Sequence, residues 1–135
     1  MFYLLKRTCN FNNKKQIMAL NKIIPKIFYD DINIGLHLFV QCLNFTINYQ
    51  DKYLYVISRD NITLQLVLDA ELAKESRPEI RIETDAIEEL YQEIKDRSPS
   101  ILHPNSNVVK LQPWGLKEFA LIDASNVCVI VQQPY

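Results

Sequence analysis

The alternation of apolar and polar residues divides the first half of the chain into strands and one helix. The segment 62–69, ITLQLVLD, places Ile62 and its leucines on one face, which predicts a half-buried strand. The segment 31–44 carries apolar residues at helical spacing, and Asp30 or Asp31 can cap it. The pattern therefore predicts strand 22–29, helix 31–44 and strands 45–50, 52–58 and 62–69.

The same order of elements is predicted for the second half of the chain. Its elements are a polar connector at 69–77, a strand at 78–84, a helix at 85–96 capped by Asp85, a short strand around Ser100–His103 and a hairpin at 117–132. The sequence thus predicts two tandem βαβββ modules, at about 22–69 and 78–132, and an α+β fold. Because each module has one helix, one face of each sheet is left for another sheet, a partner chain or a ligand.

The first 17 residues differ from the rest. In MFYLLKRTCNFNNKKQI, basic residues and asparagines follow a very short apolar start, which is the reverse of the order in a secretory signal. We interpret residues 1–17 as a loose N-terminal extension of a single domain at 18–135. We also hypothesise that Met18 is the natural start, which N-terminal mass analysis of the native protein would test.

Composition and charge limit the partners and the compartment. The net charge is −1 and no basic cluster stands out, so neither nucleic acid nor an anionic membrane is an expected partner. No apolar run approaches the ~20 residues of a membrane span. The three cysteines form no CxxC pair, which predicts reduced thiols in a cytoplasmic protein rather than disulfides or a zinc site.

The segment 113–127, PWGLKEFALIDASNV, carries the most specific motif. Its Trp-Gly, Glu-Phe and Asp-led turn resemble the bleomycin-resistance branch of the vicinal oxygen chelate superfamily, which also includes glyoxalase I and extradiol dioxygenases. The segments DINIGLHLFVQCLNF and EIRIETDAIEELYQEI give weaker matches. The resemblance implies a glyoxalase/bleomycin-resistance-like fold, in which paired modules form a sheet-lined cup, and a homodimer. Asn44 stands where the family has glycine.

Enzymes of this superfamily hold a divalent cation with His and Glu side chains from four strand positions. The corresponding residues here are Ile24, Gln65, Glu79 and Ile130. Two aliphatic side chains, one amide and one carboxylate do not supply the charged oxygen or imidazole donors that such a cation needs. The resemblance therefore predicts neither a metal site nor another cofactor.

The cup itself is the predicted ligand site. Trp114 and Phe39 are predicted to stack on a planar ligand, and Glu79 and Glu83 to attract a cation. An alternative role for Trp114 is a hairpin cap or a dimer contact. The predicted ligand-binding residues are Trp114, Phe39, Gln65, Glu79, Arg81 and Glu83; the wider lining adds Lys26, Phe28, Val67, Cys128 and Ile130.

The resemblance, with the metal-ligand positions unfilled, favours a metal-free binding protein of the bleomycin-resistance type over an enzyme. It would sequester a planar aromatic or cationic compound at a homodimer interface. One alternative is a glyoxalase- or dioxygenase-like metal-dependent lyase or oxidoreductase with an altered site, built from Glu79, Glu83 and an inward His103. Another is a structural or regulatory dimer whose cup is filled by its own side chains.

Overall fold

The computed structural model describes residues 20–135, so the predicted extension at 1–17, the proposed start at Met18 and Cys9 lie outside the described residues. No helix within residues 20–135 is long and apolar enough to cross a membrane.

The elements are β1 (Lys26–Tyr29), α1 (Ile32–Leu36, continued by a π-helical turn His37–Cys42), β2 (Thr46–Gln50), β3 (Leu54–Arg59), β4 (Ile62–Leu68), α2 (Ala70–Glu75), β5 (Glu79–Glu83), α3 (Ile87–Arg97), a 3₁₀ turn (Pro99–Ile101), β6 (Lys110–Leu111), β7 (Leu116–Ile122) and β8 (Cys128–Pro134).

The first sheet has the strand order β1-β4-β3-β2. β1 runs parallel to β4, with Ile27 opposite Leu66, and the other pairs are antiparallel. Alternation works as predicted on β4, where Leu64 and Leu66 are buried and their neighbours are not. At the far edge all of β2 is exposed, and its register with β3 shifts between Ile47 and Tyr49.

Helix α1 begins and ends much as its sequence predicts. The Asp31 carboxylate caps it by accepting the Asn33 backbone N–H at 3.0 Å. After one α-helical stretch the chain widens into the π-helical turn, which ends at Cys42. Asn44 then adopts a left-handed backbone (φ 59°), which an asparagine tolerates better than most residues. The departure from glycine at this position therefore leaves the helix end intact.

The second sheet repeats the topology, with the order β5-β8-β7-β6. β5 runs parallel to β8, and β7 and β8 form the predicted hairpin. Asn126, at φ 65°, supplies the left-handed position in its turn. Helix α3 buries Ile87 and Ile94 against the sheet. The α+β prediction of two βαβββ units is confirmed by this architecture.

Three local predictions are wrong. The polar connector contains a short helix, α2, because the Asp69 carboxylate accepts the Leu72 backbone N–H and starts it. Asp85 does not cap α3; the Gln133 side chain on β8 accepts the Ile87 N–H at 2.8 Å instead. The strand predicted around Ser100–His103 is a 3₁₀ turn with one bridge from Leu102 to Leu121. The two-residue β6 was not predicted.

Both modules contribute to a single hydrophobic core. The buried faces of the two sheets enclose α1 and α3, so the opposite sheet faces point outward. The fully buried side chains of highest volume come from both halves of the chain: Tyr29, Phe39, Phe119, Ile27, Leu38, Ile57, Leu66, Ile87, Ile94, Leu121, Val127 and Val129.

A partly buried hydrogen bond joins the two modules. The Tyr29 hydroxyl, at the end of β1, donates to the Asp123 carboxylate in the β7–β8 turn at 2.7 Å. The other oxygen of Asp123 accepts the backbone N–H groups of Ser125 and Val127 at 2.8 and 3.0 Å. The Tyr29 ring lies against Gly35 of α1, where an added Cβ would come within 2.5 Å of a ring carbon. The Tyr29 ring thus fits only because Gly35 has no side chain, and its hydroxyl has an acceptor in the Asp123 carboxylate.

Replacing Gly35 with alanine is expected to lower the free energy of unfolding by about 1–3 kcal/mol, the usual cost of overpacking a core. The clash with the Tyr29 ring outweighs the roughly 1 kcal/mol that alanine gains over glycine in helix propensity. Urea denaturation would measure it. Asn33→Ala, an exposed change in the same helix, is the control and should stay within about 0.5 kcal/mol. An unchanged or higher stability of Gly35→Ala would contradict the tight contact.

Candidate functional site

The predicted lining residues divide between two outward sheet faces. On the first sheet, Gln65 lies opposite Lys26, and Phe28 lies opposite Val67. On the second sheet, the pairs are Glu79 with Cys128, Arg81 with Ile130 and Glu83 with Gln132. Both faces point away from the core that the sheets share. One chain therefore presents the predicted lining residues on two separate outward faces, one on each sheet.

The structure corrects the prediction for Phe39. Its side chain has no exposed area, and its ring packs edge-on against Phe45 with the ring centroids 5.5 Å apart. A ring enclosed in this way cannot stack on a ligand. The helical spacing of the sequence already placed Phe39 on the apolar stripe of α1, and the core position follows from that spacing.

Arg81 is the centre of a polar network on the outward face of the second sheet. One of its terminal nitrogens donates to the Glu118 carboxylate at 2.9 Å and to the Gln132 side-chain oxygen at 3.0 Å. Its other terminal nitrogen lies 3.8 Å from the Glu79 carboxylate. Gln132 in turn donates to Glu83 at 3.3 Å. Three of the predicted site residues, Glu79, Arg81 and Glu83, are therefore brought together, while Gln65 lies on the other sheet.

Trp114 joins the same network from the preceding turn. Its indole N–H donates to the Glu118 carboxylate at 2.9 Å, although 62% of the side chain is exposed. Gly115 adopts φ 86° and closes the turn with an N–H bond to the Gln112 carbonyl. The ring is thus fixed at its polar edge while most of its surface remains open to solvent.

Glu118 is the site residue that the sequence reasoning missed. It is the single charged side chain that is buried among residues 20–135, with 8% of its surface exposed. Burial of a carboxylate is tolerated here because Arg81 and Trp114 both donate to it. The alternation in LKEFALI, which puts Phe119 on the opposite face from Glu118, was the available signal.

Cys128 lies on this face but is not an activated nucleophile. Burial raises the pKa of the Cys128 thiol, the negative charge of Glu79 raises it further, and Arg81 opposes both in part. A reactive thiolate needs the pKa lowered instead. The neighbouring arginine is largely engaged by Glu118, which explains why it does not reverse the shift.

The positions of the superfamily metal ligands do not fit a metal ion. Of Ile24, Gln65, Glu79 and Ile130, Glu79 alone carries an ionisable donor. Within residues 20–135 no three His, Cys, Asp or Glu side chains are grouped closely enough to hold a cation. His103, which the enzyme alternative required, lies in a loop, where its Nδ1 accepts the Asn105 backbone N–H at 3.1 Å.

Comparison with known sequences gives a local match. No family model matches the chain. A bleomycin resistance protein of Geobacillus stearothermophilus is 50% identical over 46 residues, and one of Staphylococcus aureus strain MRSA252 matches equally. The aligned segment covers 34% of this chain and 33% of each relative, so it spans about a third of their length.

Comparison with solved structures covers most of the chain. A bleomycin-binding protein complexed with bleomycin superposes with a TM-score of 0.71 at 20% identity, covering 86% of this chain and all of that one. A bleomycin resistance determinant encoded on the transposon Tn5 gives 0.68 at 20% identity, covering 85% and 98%. A glyoxalase/bleomycin resistance/dioxygenase protein of Alicyclobacillus acidocaldarius gives 0.66 at 16%, covering 85% and 92%. The predicted glyoxalase/bleomycin-resistance-like fold is confirmed.

Proposed function

We propose, from the premise that the chain has the fold of bleomycin-binding proteins, that it binds a planar aromatic or cationic compound of the bleomycin type. The protein would sequester this compound without a metal and without making or breaking a bond. Binding would take place in the cytoplasm, at a homodimer interface. The observation that carries the proposal is Trp114, whose polar edge is tied to the buried Glu118 while its ring faces solvent. Such a ring loses little conformational freedom when a planar ligand stacks on it.

Charge on the outward face of the second sheet favours a cationic ligand. Glu79, Glu83 and Glu118 outnumber Arg81 and Lys110, and the arginine already donates to Glu118 and Gln132. The guanidinium is therefore occupied, and the half-exposed Glu79 carboxylate remains accessible at the edge of the network. Residual negative charge beside an aromatic face attracts planar cations through both ion pairing and cation–π contact.

The proposed homodimer follows from the two outward faces. Each face alone is an open sheet, whereas a binding pocket usually encloses most of its ligand. A second chain could set its first sheet, with Phe28 and Gln65, over Trp114 and Arg81 of its partner. Two equivalent cups would result from one two-fold axis. Analytical ultracentrifugation should therefore find a dimer, and a monomer at micromolar concentration would contradict this arrangement.

Replacing Trp114 with alanine is expected to weaken binding of bleomycin by about tenfold or more, because a stacking partner is lost at the centre of the site. Isothermal titration calorimetry would measure the affinity of both proteins. In the unaltered chain Trp114 is the only tryptophan, so its fluorescence reports on the site directly. Trp114→Phe should retain part of the affinity.

Tyr53→Ala is the matched control, since Tyr53 is also an exposed aromatic residue but lies on the first module outside the network. Equal weakening by Trp114→Ala and Tyr53→Ala would contradict a specific stacking site.

The metal-free part of the proposal has its own test. A divalent cation that raises the melting temperature, with the rise lost in Glu79→Gln, would support the enzyme alternative instead.

A further inference from the structure

A second concave site lies between the modules, on the side of the sheets that carries the helices. It is a cleft of about 830 Å³, within the range of small-molecule pockets. Its walls come from the β3–β4 turn of the first module, the start of α3 and the end of β8. Of the predicted ligand-binding residues, Glu83 alone reaches its rim, so the cleft is separate from the outward face that holds Trp114.

The cleft has an apolar floor. Phe45 and Leu43 follow α1 and are buried, while Ile62, Ile82 and Leu90 are partly exposed. The floor therefore combines side chains from both modules, and it leaves apolar surface in contact with water. An apolar body that covered this surface would be stabilised by its burial.

The rim of the cleft is acidic. Arg59, the one basic residue that lines it within residues 20–135, already donates to the Leu43 carbonyl at 2.7 Å and pairs with Glu93 at 3.3 Å and Asp60 at 3.6 Å. Asp85 and Glu89 are exposed and form no ion pair with any residue of 20–135. The acidic residues that line the cleft are Asp60, Glu83, Asp85, Glu89 and Glu93, of which Glu83 directs its carboxylate to Gln132 on the outward face.

We propose that this cleft binds an organic cation, a protonated amine attached to an apolar body. The apolar floor would cover the body, and Asp85 and Glu89 would hold the ammonium at the start of α3. An anion would meet the acidic residues Asp60, Asp85, Glu89 and Glu93 and one engaged arginine, so charge complementarity selects a cation. This site does not depend on the proposed bleomycin-type function.

Dansylcadaverine, a fluorescent aromatic amine, is a suitable probe for the full-length protein. The double variant Asp85→Asn, Glu89→Gln is expected to weaken its binding about fivefold, since two exposed carboxylates near one cation each contribute modestly. The N-acetylated probe, which has the same body without the charge, should bind more weakly and respond little to the double variant. Circular dichroism would confirm that both residues can be changed without loss of the fold.

The matched control is Glu71→Gln with Glu75→Gln, which removes two exposed carboxylates from α2, outside the cleft. Equal weakening by the control, or equal binding of the neutral probe, would overturn the proposal. So would a loss of binding in Trp114→Ala, because the probe would then occupy the outward face. Binding that appears only after residues 1–17 are removed would also overturn it. That segment carries four basic and no acidic residues and would then be the occupant.

Discussion

Replacing Asp123 with alanine is expected to lower the free energy of unfolding by about 3–5 kcal/mol. The change leaves the buried Tyr29 hydroxyl without its acceptor, which alone costs about 1.5–3 kcal/mol for a bond to a charged group. It also removes the acceptor of two backbone N–H groups in the β7–β8 turn, at about 1 kcal/mol each. Urea denaturation, with melting followed by circular dichroism, would measure the loss.

The chain provides a matched control for this prediction. The Asp51 carboxylate accepts the same set of bonds, from the Tyr49 hydroxyl and from the backbone N–H groups of Tyr53 and Leu54. That turn is exposed, so water replaces the lost partners and Asp51→Ala should cost much less. A double-mutant cycle with Tyr29→Phe should assign a large coupling energy to the Tyr29–Asp123 pair. Equal losses for the two aspartates would show that the buried bond does not stabilise the fold.

Stability is expected to fall steeply above pH 10, and Tyr29→Phe should remove much of this fall. Burial raises the pKa of the Tyr29 hydroxyl above its ordinary value of about 10, and the hydrogen bond to Asp123 and its negative charge raise it further. The folded chain therefore keeps a proton that the unfolded chain releases, so its stability is fully present below pH 10 and is lost as the pH rises. The loss for one proton is about 1.4 kcal/mol per pH unit, or about 2 kcal/mol between pH 10 and 11.5.

Unfolding midpoints of the unaltered chain and of Tyr29→Phe, compared from pH 8 to 11.5, would test this dependence. The raised pKa of Cys128 acts in the same direction, but it is common to both proteins and cancels in the difference. Tyr53→Phe, an exposed change, should leave the slope of the unaltered chain intact. Parallel pH curves for Tyr29→Phe and the unaltered chain would contradict a buried, carboxylate-bonded hydroxyl.

Local patterns were sufficient to predict the architecture of this chain. Strict alternation over β4 and β5, the apolar stripe of α3 and the Asp-led turn before β8 each depend on neighbouring residues alone. The PWGLKEF motif likewise singled out Trp114, although it did not identify Glu118, four residues further along the chain. The way in which the two modules pair in the fold then followed from the resemblance.

The remaining features depend on contacts between distant residues. The start of α3 is capped by Gln133, which is 46 positions from Ile87, and no local pattern predicts such a bond. Glu118 meets Arg81 through the register of three strands, which the sequence does not specify. The placement of the predicted lining residues on two outward faces depends on how the sheets pack around the helices. Periodicity identifies the buried side of each strand but not the arrangement of the sheets.

The irregular edge of the first sheet has a consequence for solubility. β2 exposes all five of its residues, TINYQ, and an exposed edge strand is a template on which other molecules can add strands. The register shift between Ile47 and Tyr49 breaks the even spacing of its free N–H and C=O groups. An incoming strand would have to reproduce the same bulge to pair along its full length. The misfit at Asn48 thus opposes fibril growth at an edge that would otherwise be open to aggregation.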